Sequence, residues 1–255
     1  MMPVDSCKVF ERISNAPFTA RGIRPGGLDL TRQLLARSKL SAGARILDVG
    51  CGTGVTVDYL SRDYAIRAVG IDTSSMLVSQ GKGRNAGLPL LIGCAEALPF
   101  SDGSFDGVLL ECTLSLVQDR ERVISECRRV LRPLGKLMVT DVYARNPEAI
   151  GALRTLAGQS CLKGALDKDQ LIHDCSVEGF VMDCFEDHSE MLKDFAVQII
   201  WTYGSLDEFW AETETRNHGP EPARCAIRDA RPGYFLYLGS KAGVLTEAKG
   251  KRDQR

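Results

Sequence analysis

Three alternating glycines follow an apolar segment in the stretch ILDVGCGTGV, residues 46–55. Gly50, Gly52 and Gly54 would let the backbone approach a bound ligand closely, because glycine has no Cβ to block it. A triphosphate-binding loop needs the pattern GxxxxGK[ST], and no lysine follows Gly54. A dinucleotide loop needs GxGxxG, and its third position falls on Val55 or Val57, which weakens that alternative. The loop therefore favours a ligand that needs no phosphate contact.

Two acids beside this loop favour a nucleoside that carries an amino-acid tail. Asp72 ends the second apolar segment, where its carboxylate would accept hydrogen bonds from both ribose hydroxyls. Such charge-assisted bonds contribute about 1.5–3 kcal/mol each. Asp48 and the N-terminus of the following helix would serve the ammonium and the carboxylate of the tail. S-adenosylmethionine has these groups and no phosphate, so it is the predicted cofactor, with S-adenosylhomocysteine as its product.

Buried strands and amphipathic helices alternate before Tyr143 and would position these groups. Apolar segments predict five strands, at residues 45–50, 66–72, 88–95, 105–112 and 136–143. The clearest helical pattern lies at residues 119–131 and is ended by Pro133 and Gly135. This alternation predicts an α/β fold with a parallel sheet covered by helices on both faces.

The alternation stops at Tyr143, which divides the chain. One more strand is predicted near residues 180–184 and a last one at 233–240, giving a Rossmann-like sheet of seven mostly parallel strands. We expect a cap insertion before the last strand, and this cap would hold the second substrate. The predicted organisation is N-terminal lid helices and a cofactor-binding core at 1–143, the cap at 144–230, the last strand at 231–246 and a charged tail at 247–255.

Four successive motifs carry a resemblance to a known family. ILDVGCGTG, GIDTSSMLVSQG, AEALPFSDGSFD and ECRRVLRPLGKL resemble the motifs of class I S-adenosylmethionine-dependent methyltransferases, in particular the ubiquinone and menaquinone C-methyltransferases. The resemblance covers residues 44–143. It implies that Asp48 and the three glycines line the methionine end of the cofactor and that Asp72 holds the ribose. Glu111, at the end of the fourth strand, would face the methyl centre or be a solvated acid.

The same resemblance places a second group of residues near the adenine. Met76 would flank the ring, although its position is equally compatible with a helix core. Cys94, Ala95 and Glu96 follow the third strand and would meet the base. Relatives commonly carry Asp or Asn at the position of Cys94, and a thiol is a poor acceptor for the adenine amino group. The backbone of Ala95 is therefore the preferred contact.

Two cysteines in the cap suggest an acceptor site. Cys161 opens the cap and Cys225 precedes the last strand, so their thiolates could converge over the sheet and bind a soft, thiophilic ion. The segments TDVYAR and CLKGAL and the cysteine before the last strand resemble the arsenite methyltransferases, in which the two matching cysteines bind trivalent arsenic. Two features depart from that family. Val57 stands where many members carry a further cysteine, and residues 199–224 have no counterpart there.

Composition narrows the remaining function classes. The 255-residue chain is 44% hydrophobic and 25% charged, and its net charge of −1 gives no reason to expect a nucleic-acid or membrane partner. We expect a cytoplasmic protein, because neither a secretory pattern nor a membrane-length apolar segment is seen. Its nine cysteines should then be reduced. Their spacing predicts no metal cofactor.

The predicted function is a methyltransferase that uses S-adenosylmethionine and acts on a small molecule or a metalloid such as arsenite. Two alternatives stay open: a C- or O-methyltransferase of a quinone-like molecule, and a non-catalytic, S-adenosylmethionine-binding regulatory protein on the same fold. An NAD-dependent oxidoreductase is disfavoured by the missing third glycine. The sequence does not indicate an oligomeric state.

Overall fold

One seven-stranded sheet organises the molecule. The computed structural model describes residues 8–16, 19–20, 22–156, 160–213 and 220–243. The strands are β1 (Arg45–Val49), β2 (Arg67–Asp72), β3 (Leu90–Ile92), β4 (Phe105–Glu111), β5 (Leu131–Ala144), β6 (Phe180–Asp187) and β7 (Pro232–Lys241). Their order is β3-β2-β1-β4-β5-β7-β6. Strands β1 to β5 pair in parallel, and β7 is antiparallel to both β5 and β6. The predicted Rossmann-like, mostly parallel sheet of seven strands is confirmed.

Helices cover both faces of this sheet, as predicted. Those of the described residues are α1 (Lys8–Ile13), α2 (Gly27–Ser38), α3 (Val55–Tyr64), α4 (Ser75–Arg84), α5 (Arg120–Val130), α6 (Ile150–Leu153), α7 (Lys168–Val177), α8 (Ser189–Tyr203), α9 (Leu206–Thr213) and α10 (Pro220–Ala230). Two apolar clusters fill the space between helices and sheet, one on each face. No helix in the described ranges is both long and apolar enough to cross a membrane.

The register of the central strands brings the acids to one edge. Asp48 in β1 pairs with Gly70 in β2 and with Leu109 in β4. Asp72 and Glu111 each lie two residues beyond these partners, so all three acids reach the carboxyl edge of the sheet. The strand order reverses between β1 and β4, and ligands bind parallel sheets of this kind at that point.

Two predicted elements are shorter in the structure. The third strand ends at Ile92, so residues 93–95 form a loop at the carboxyl edge instead of continuing the strand. Leu131 begins β5 instead of ending α5, because its backbone is already extended at the end of the helix. Asp119 caps α5 by accepting a hydrogen bond of 2.9 Å from the backbone N–H of Arg122.

The segment predicted as a cap, residues 144–230, divides into two parts. α7 and β6 complete the sheet, since β6 pairs with β7 along its length. α8 and α9 pack instead against α1, in an apolar cluster of Val9, Ile13, Ile199 and Phe209. This second part therefore supports the N-terminal helix. The charged tail predicted at 247–255 lies outside the described residues.

Candidate active site

A cavity of about 440 Å³ opens at the carboxyl edge of the sheet, beside the reversal point between β1 and β4. It contains most of the residues that the sequence assigned to the cofactor. Those that line it are Asp48, Gly50, Gly52, Asp72, Cys94, Ala95, Glu96 and Glu111. Gly54, Met76, Cys161 and Cys225 do not belong to this lining.

The glycine loop has a backbone that requires glycine. Gly50 adopts φ 76°, and a Cβ there would lie 2.3 Å from the Thr113 hydroxyl oxygen. Thr113 cannot easily move, because its hydroxyl donates a hydrogen bond of 2.9 Å to the carbonyl of Val49. Gly54 also has a positive φ, of 72°, and forms the N-cap of α3, where a Cβ would strike Leu90. Gly54 therefore shapes the turn and its packing without lining the cavity.

Asp72 is hydrogen-bonded to the glycine loop and also lines the cavity. One carboxylate oxygen accepts a hydrogen bond of 2.8 Å from the backbone N–H of Gly52, and the other accepts one of 2.8 Å from Ser74. Burial raises the pKa of Asp72 in spite of these bonds. The backbone of Thr73 also hydrogen-bonds this carboxylate. Of its roughly four acceptor positions, at least one stays available to a hydroxyl of a ligand.

Glu111 is buried, with 3% of its side chain exposed, and is not the solvated acid of the alternative interpretation. It accepts hydrogen bonds from the hydroxyls of Thr31, at 2.7 Å, and Thr56, at 2.9 Å. The guanidinium of Arg24 lies 2.6 Å from the same carboxylate. Arg24 also contacts both threonine hydroxyls through Nη2. A buried cation thus joins the N-terminal segment to α2, α3 and β4.

Asp48 is a buried acid that lies near a second buried acid, Glu111. Burial raises the pKa of Asp48 well above the usual value of an aspartate. The charges of Glu111 and Asp72 raise the pKa further, whereas the charge of Arg24 lowers it. A positively charged ligand group in this part of the cavity would therefore stabilise the ionised form of Asp48.

The far end of the cavity contains most of the residues that the resemblance places near the adenine. Cys94, Ala95 and Glu96 face it from the loop after β3. From α4 the residue that faces the cavity is Leu77, whereas Met76 is 39% exposed and points elsewhere. Successive residues on a helix differ by about 100° in direction, which separates the two.

The N-terminal lid, which we define as α1 and residues 22–26, closes one side of the cavity. Phe10 and Ile23 contribute apolar surface to it. Glu11 accepts a hydrogen bond of 2.5 Å from the hydroxyl of Ser74, the N-cap of α4. The sequence predicted N-terminal lid helices but did not identify Arg24. In the sequence, Arg24 lies between Gly22 and Gly26. No residue near Arg24 indicated that its acidic partner is Glu111, far along the chain.

One group of potential metal ligands is found within the described ranges. It contains Cys161 and Cys112 but not Cys225. The sulfurs of Cys112 and Cys161 and a carboxylate oxygen of Asp141 all lie within 4.8 Å of one another. The pKa of Cys112 is raised by its contact with the Cys161 thiol and by burial. Cys225 lies half-buried on α10 beside Arg228.

Cys112 connects this group to the cavity, which it lines directly after Glu111. It adopts φ 54°, a rare conformation for a residue with a Cβ. Its sulfur lies 3.2 Å from the hydroxyl of Tyr234. The sequence analysis did not single out Cys112. Its position at the carboxyl end of a central strand could have identified Cys112 as a candidate site residue.

Comparison with known proteins identifies the core of the chain. The family described as "Methyltransferase domain" matches residues 47–139. This segment is a methyltransferase domain. The O-methyltransferase resE of Aspergillus sclerotiorum is 34% identical over 50% of this chain and 52% of its own length. The demethylmenaquinone methyltransferase of Beutenbergia cavernae is 33% identical over 54% of this chain and 58% of its own. The matched segment thus spans little more than half the length of either relative.

Solved structures extend the similarity of the methyltransferase domain to most of the fold. The [4+2]-cyclase SpnF superposes with a TM-score of 0.64 and 26% identity, over 84% of this chain and 80% of its own. Phosphoethanolamine N-methyltransferase 2 of Haemonchus contortus, in complex with phosphomonomethylethanolamine and S-adenosylhomocysteine, has a TM-score of 0.68 and 17% identity, over 94% and 61% of the two chains. These comparisons confirm the predicted class I methyltransferase core, its fold and S-adenosylmethionine as the cofactor of the family.

Proposed function

We propose that this chain binds S-adenosylmethionine and transfers its methyl group to a small-molecule acceptor. The observation that carries the proposal is the convergence of Asp48, Asp72 and Glu111 beside the glycine loop in one cavity. The volume of about 440 Å³ is in the range of sites for small molecules. The matched relatives, which are an O-methyltransferase and a demethylmenaquinone methyltransferase by name, support the same class of acceptor.

The residues present fit this cofactor. Asp72 keeps at least one acceptor position open toward the cavity for a ribose hydroxyl. Asp48 and Glu111 are buried acids next to the glycine loop, where the cationic end of the cofactor would lie. The raised pKa of Asp48 marks an acid whose charge is incompletely compensated by the protein.

The reaction demands little acid–base chemistry from the chain. When bound, S-adenosylmethionine supplies a methyl group on a positively charged sulfur. The residues of the cavity hold the two reactants in line, and orientation of this kind contributes up to roughly 7–11 kcal/mol in well-aligned systems. Phe10 and Ile23 of the N-terminal lid give the cavity an apolar wall, which would help to exclude water from the reactants. A base would be needed only for an acceptor that must lose a proton.

A specific observation favours a soft metalloid as a second candidate acceptor. Cys112 and Cys161, with Asp141, form a thiol-rich group that reaches the cavity through Cys112. Thiolates select soft ions. Each thiol would replace one hydroxyl of arsenous acid and release water, so no oxidant or reductant is needed. Cys225, which the sequence paired with Cys161, lies outside this group.

The test of the first proposal is binding followed by turnover. We expect calorimetry to show binding of S-adenosylmethionine and S-adenosylhomocysteine but not of NAD. Methyl transfer should then be measured against a panel of phenols, quinols, amines and arsenite. Binding without transfer to any of them would support the non-catalytic regulatory alternative, and absence of binding would refute the proposal. The cytoplasmic location and the absence of a nucleic-acid partner remain predictions.

The metalloid candidate is tested separately with arsenite. We expect Cys112→Ser and Cys161→Ser each to lose most of the arsenite affinity, since one thiol cannot hold the ion alone. Cys184→Ser is the matched control, because Cys184 is a half-buried thiol on β6 outside the group. Full affinity in either Cys112→Ser or Cys161→Ser would refute this site. Loss in Cys225→Ser with no loss in Cys112→Ser would favour the pair predicted from the sequence.

A further inference from the structure

We propose that Arg24 binds the carboxylate of the amino-acid tail of the cofactor and so selects ligands that carry this group. The inference rests on the proposed function and adds a residue to it. Arg24 lines the cavity from the N-terminal lid, outside the residues 47–139 that match the methyltransferase domain.

The first observation is an unsatisfied donor. Arg24 is 9% exposed, and its Nη2 atom contacts Thr31, Thr56 and Glu111. Its Nε atom is buried and has no hydrogen-bond partner within the described part of the chain. A buried N–H group without a partner is costly, and native proteins rarely retain one without a ligand or a water to satisfy it.

The second observation is the pattern of charge around Arg24. Thr56 lies in the first turn of α3, and a helix N-terminus favours an anion. Arg24 and this helix end therefore form an anion-binding part of a cavity whose other described charged side chains are acidic. S-adenosylmethionine has two cationic groups, the ammonium and the sulfonium, and one carboxylate. Two buried acids, Asp48 and Glu111, together with Arg24, carry the complementary set of charges.

The third observation is a backbone that holds Arg24 in place. Gly22 has φ 106°, and a Cβ at Gly22 would lie 2.5 Å from the Arg24 Nη1 atom. Gly26, with φ 73°, forms the N-cap of α2. Arg24 thus lies between two positions that favour glycine, and its contact with Thr31 anchors it to α2. This arrangement fixes the guanidinium before any ligand arrives.

The test compares ligands that differ in the carboxylate. The probes are S-adenosylhomocysteine, its decarboxylated analogue, which keeps the amine, and 5′-methylthioadenosine, which has no amino-acid tail. We expect the wild type to bind S-adenosylhomocysteine roughly 10- to 100-fold more tightly than the decarboxylated analogue, the usual effect of a charge-assisted bond. Arg24→Met should remove most of this difference and leave the affinity for 5′-methylthioadenosine within about threefold. Arg32→Met, on the exposed face of α2, is the matched control and should change none of the three affinities.

Each failure has a different meaning. Equal binding of S-adenosylhomocysteine and its decarboxylated analogue by the wild type would overturn the role of Arg24, and this comparison needs no variant. An equal loss for all three ligands in Arg24→Met would show that the residue is only structural. Failure of the wild type to bind any of the three would refute the proposed function itself.

Discussion

The carboxylate of Asp72 accepts a hydrogen bond of 2.8 Å from the backbone N–H of Gly52, so the second strand holds the glycine loop directly. The same carboxylate accepts the N–H of Ser74 at the start of α4. Asp72 therefore has two tasks, to order the loop and to receive the ribose. An experiment on this residue must separate them.

We expect Asp72→Ala to weaken S-adenosylhomocysteine binding by roughly ten- to a hundredfold, because it removes charge-assisted bonds to the ribose and to the loop. It should also lower the melting temperature, since two backbone N–H groups lose their acceptor. Calorimetry and thermal unfolding measure the two effects. Asp106→Ala is the control, because Asp106 also accepts a backbone N–H, from Arg45, but lies at the opposite end of β4. Unchanged affinity in Asp72→Ala would show that the ribose lies elsewhere.

Asp48→Asn should stabilise the ligand-free protein at pH 8 while weakening its binding of S-adenosylmethionine. Burial raises the pKa of Asp48, so the ionised carboxylate costs stability above the folded-state pKa. As the pH falls toward the unfolded-state value of about 3.9, wild-type Asp48 becomes protonated and the cost disappears. Each unit of pKa shift corresponds to about 1.4 kcal/mol. The gain in unfolding free energy should therefore shrink between pH 8 and pH 4.

Denaturant unfolding of the wild type and of Asp48→Asn at a series of pH values measures this effect. Asp141 also has a raised pKa because it is buried, and its contribution cancels in the difference between the two proteins. A difference that is constant with pH would mean that Asp48 has an ordinary pKa. A larger difference at low pH would give the wrong sign for the proposed burial cost.

Gly50→Ala should abolish binding of S-adenosylhomocysteine, because the added Cβ would meet the hydroxyl of Thr113 in a backbone that also disfavours alanine. The conformational cost of a positive φ is about 1–2 kcal/mol. Gly103→Ala is a matched control, since Gly103 has φ 62° but nothing within 4 Å of its Cβ position. Both variants should lose stability, and only Gly50→Ala should lose the ligand. Retained binding by Gly50→Ala would show that the loop tolerates displacement.

The sequence was sufficient to predict the acids because their positions follow from a general rule. The carboxyl ends of parallel strands meet at one edge, and Asp48, Asp72 and Glu111 each end or nearly end a strand with a clear apolar pattern. The glycine loop was predictable for the same reason, since it follows β1 directly. These elements depend on the short-range apolar pattern of each strand and not on which strands pair in the sheet.

Arg24 and Cys112 could not be predicted in the same way, because their roles depend on distant partners. Arg24 meets Glu111 across 87 positions of the chain and lies in a segment with no periodic pattern. Cys112 meets Cys161 only because β4 and the loop before α7 come together in space. Met76 lies outside the cavity lining for a smaller reason. A shift of one residue on a helix decides which side chain faces the cavity, and residue type alone does not fix it.

The last prediction concerns the lid. Glu11→Ala should accelerate the release of S-adenosylhomocysteine by roughly two- to tenfold, the effect of one lost hydrogen bond, because α1 loses its polar contact with Ser74. Stopped-flow dissociation measures this rate. Ser74→Ala should accelerate release as well and in addition lower the melting temperature, since Ser74 also caps α4 by accepting the N–H of Leu77. Glu190→Ala, which removes only an exposed pair with Lys193, should leave the rate unchanged. If Glu11→Ala lowered the melting temperature without changing the release rate, α1 would be a structural support and not a lid.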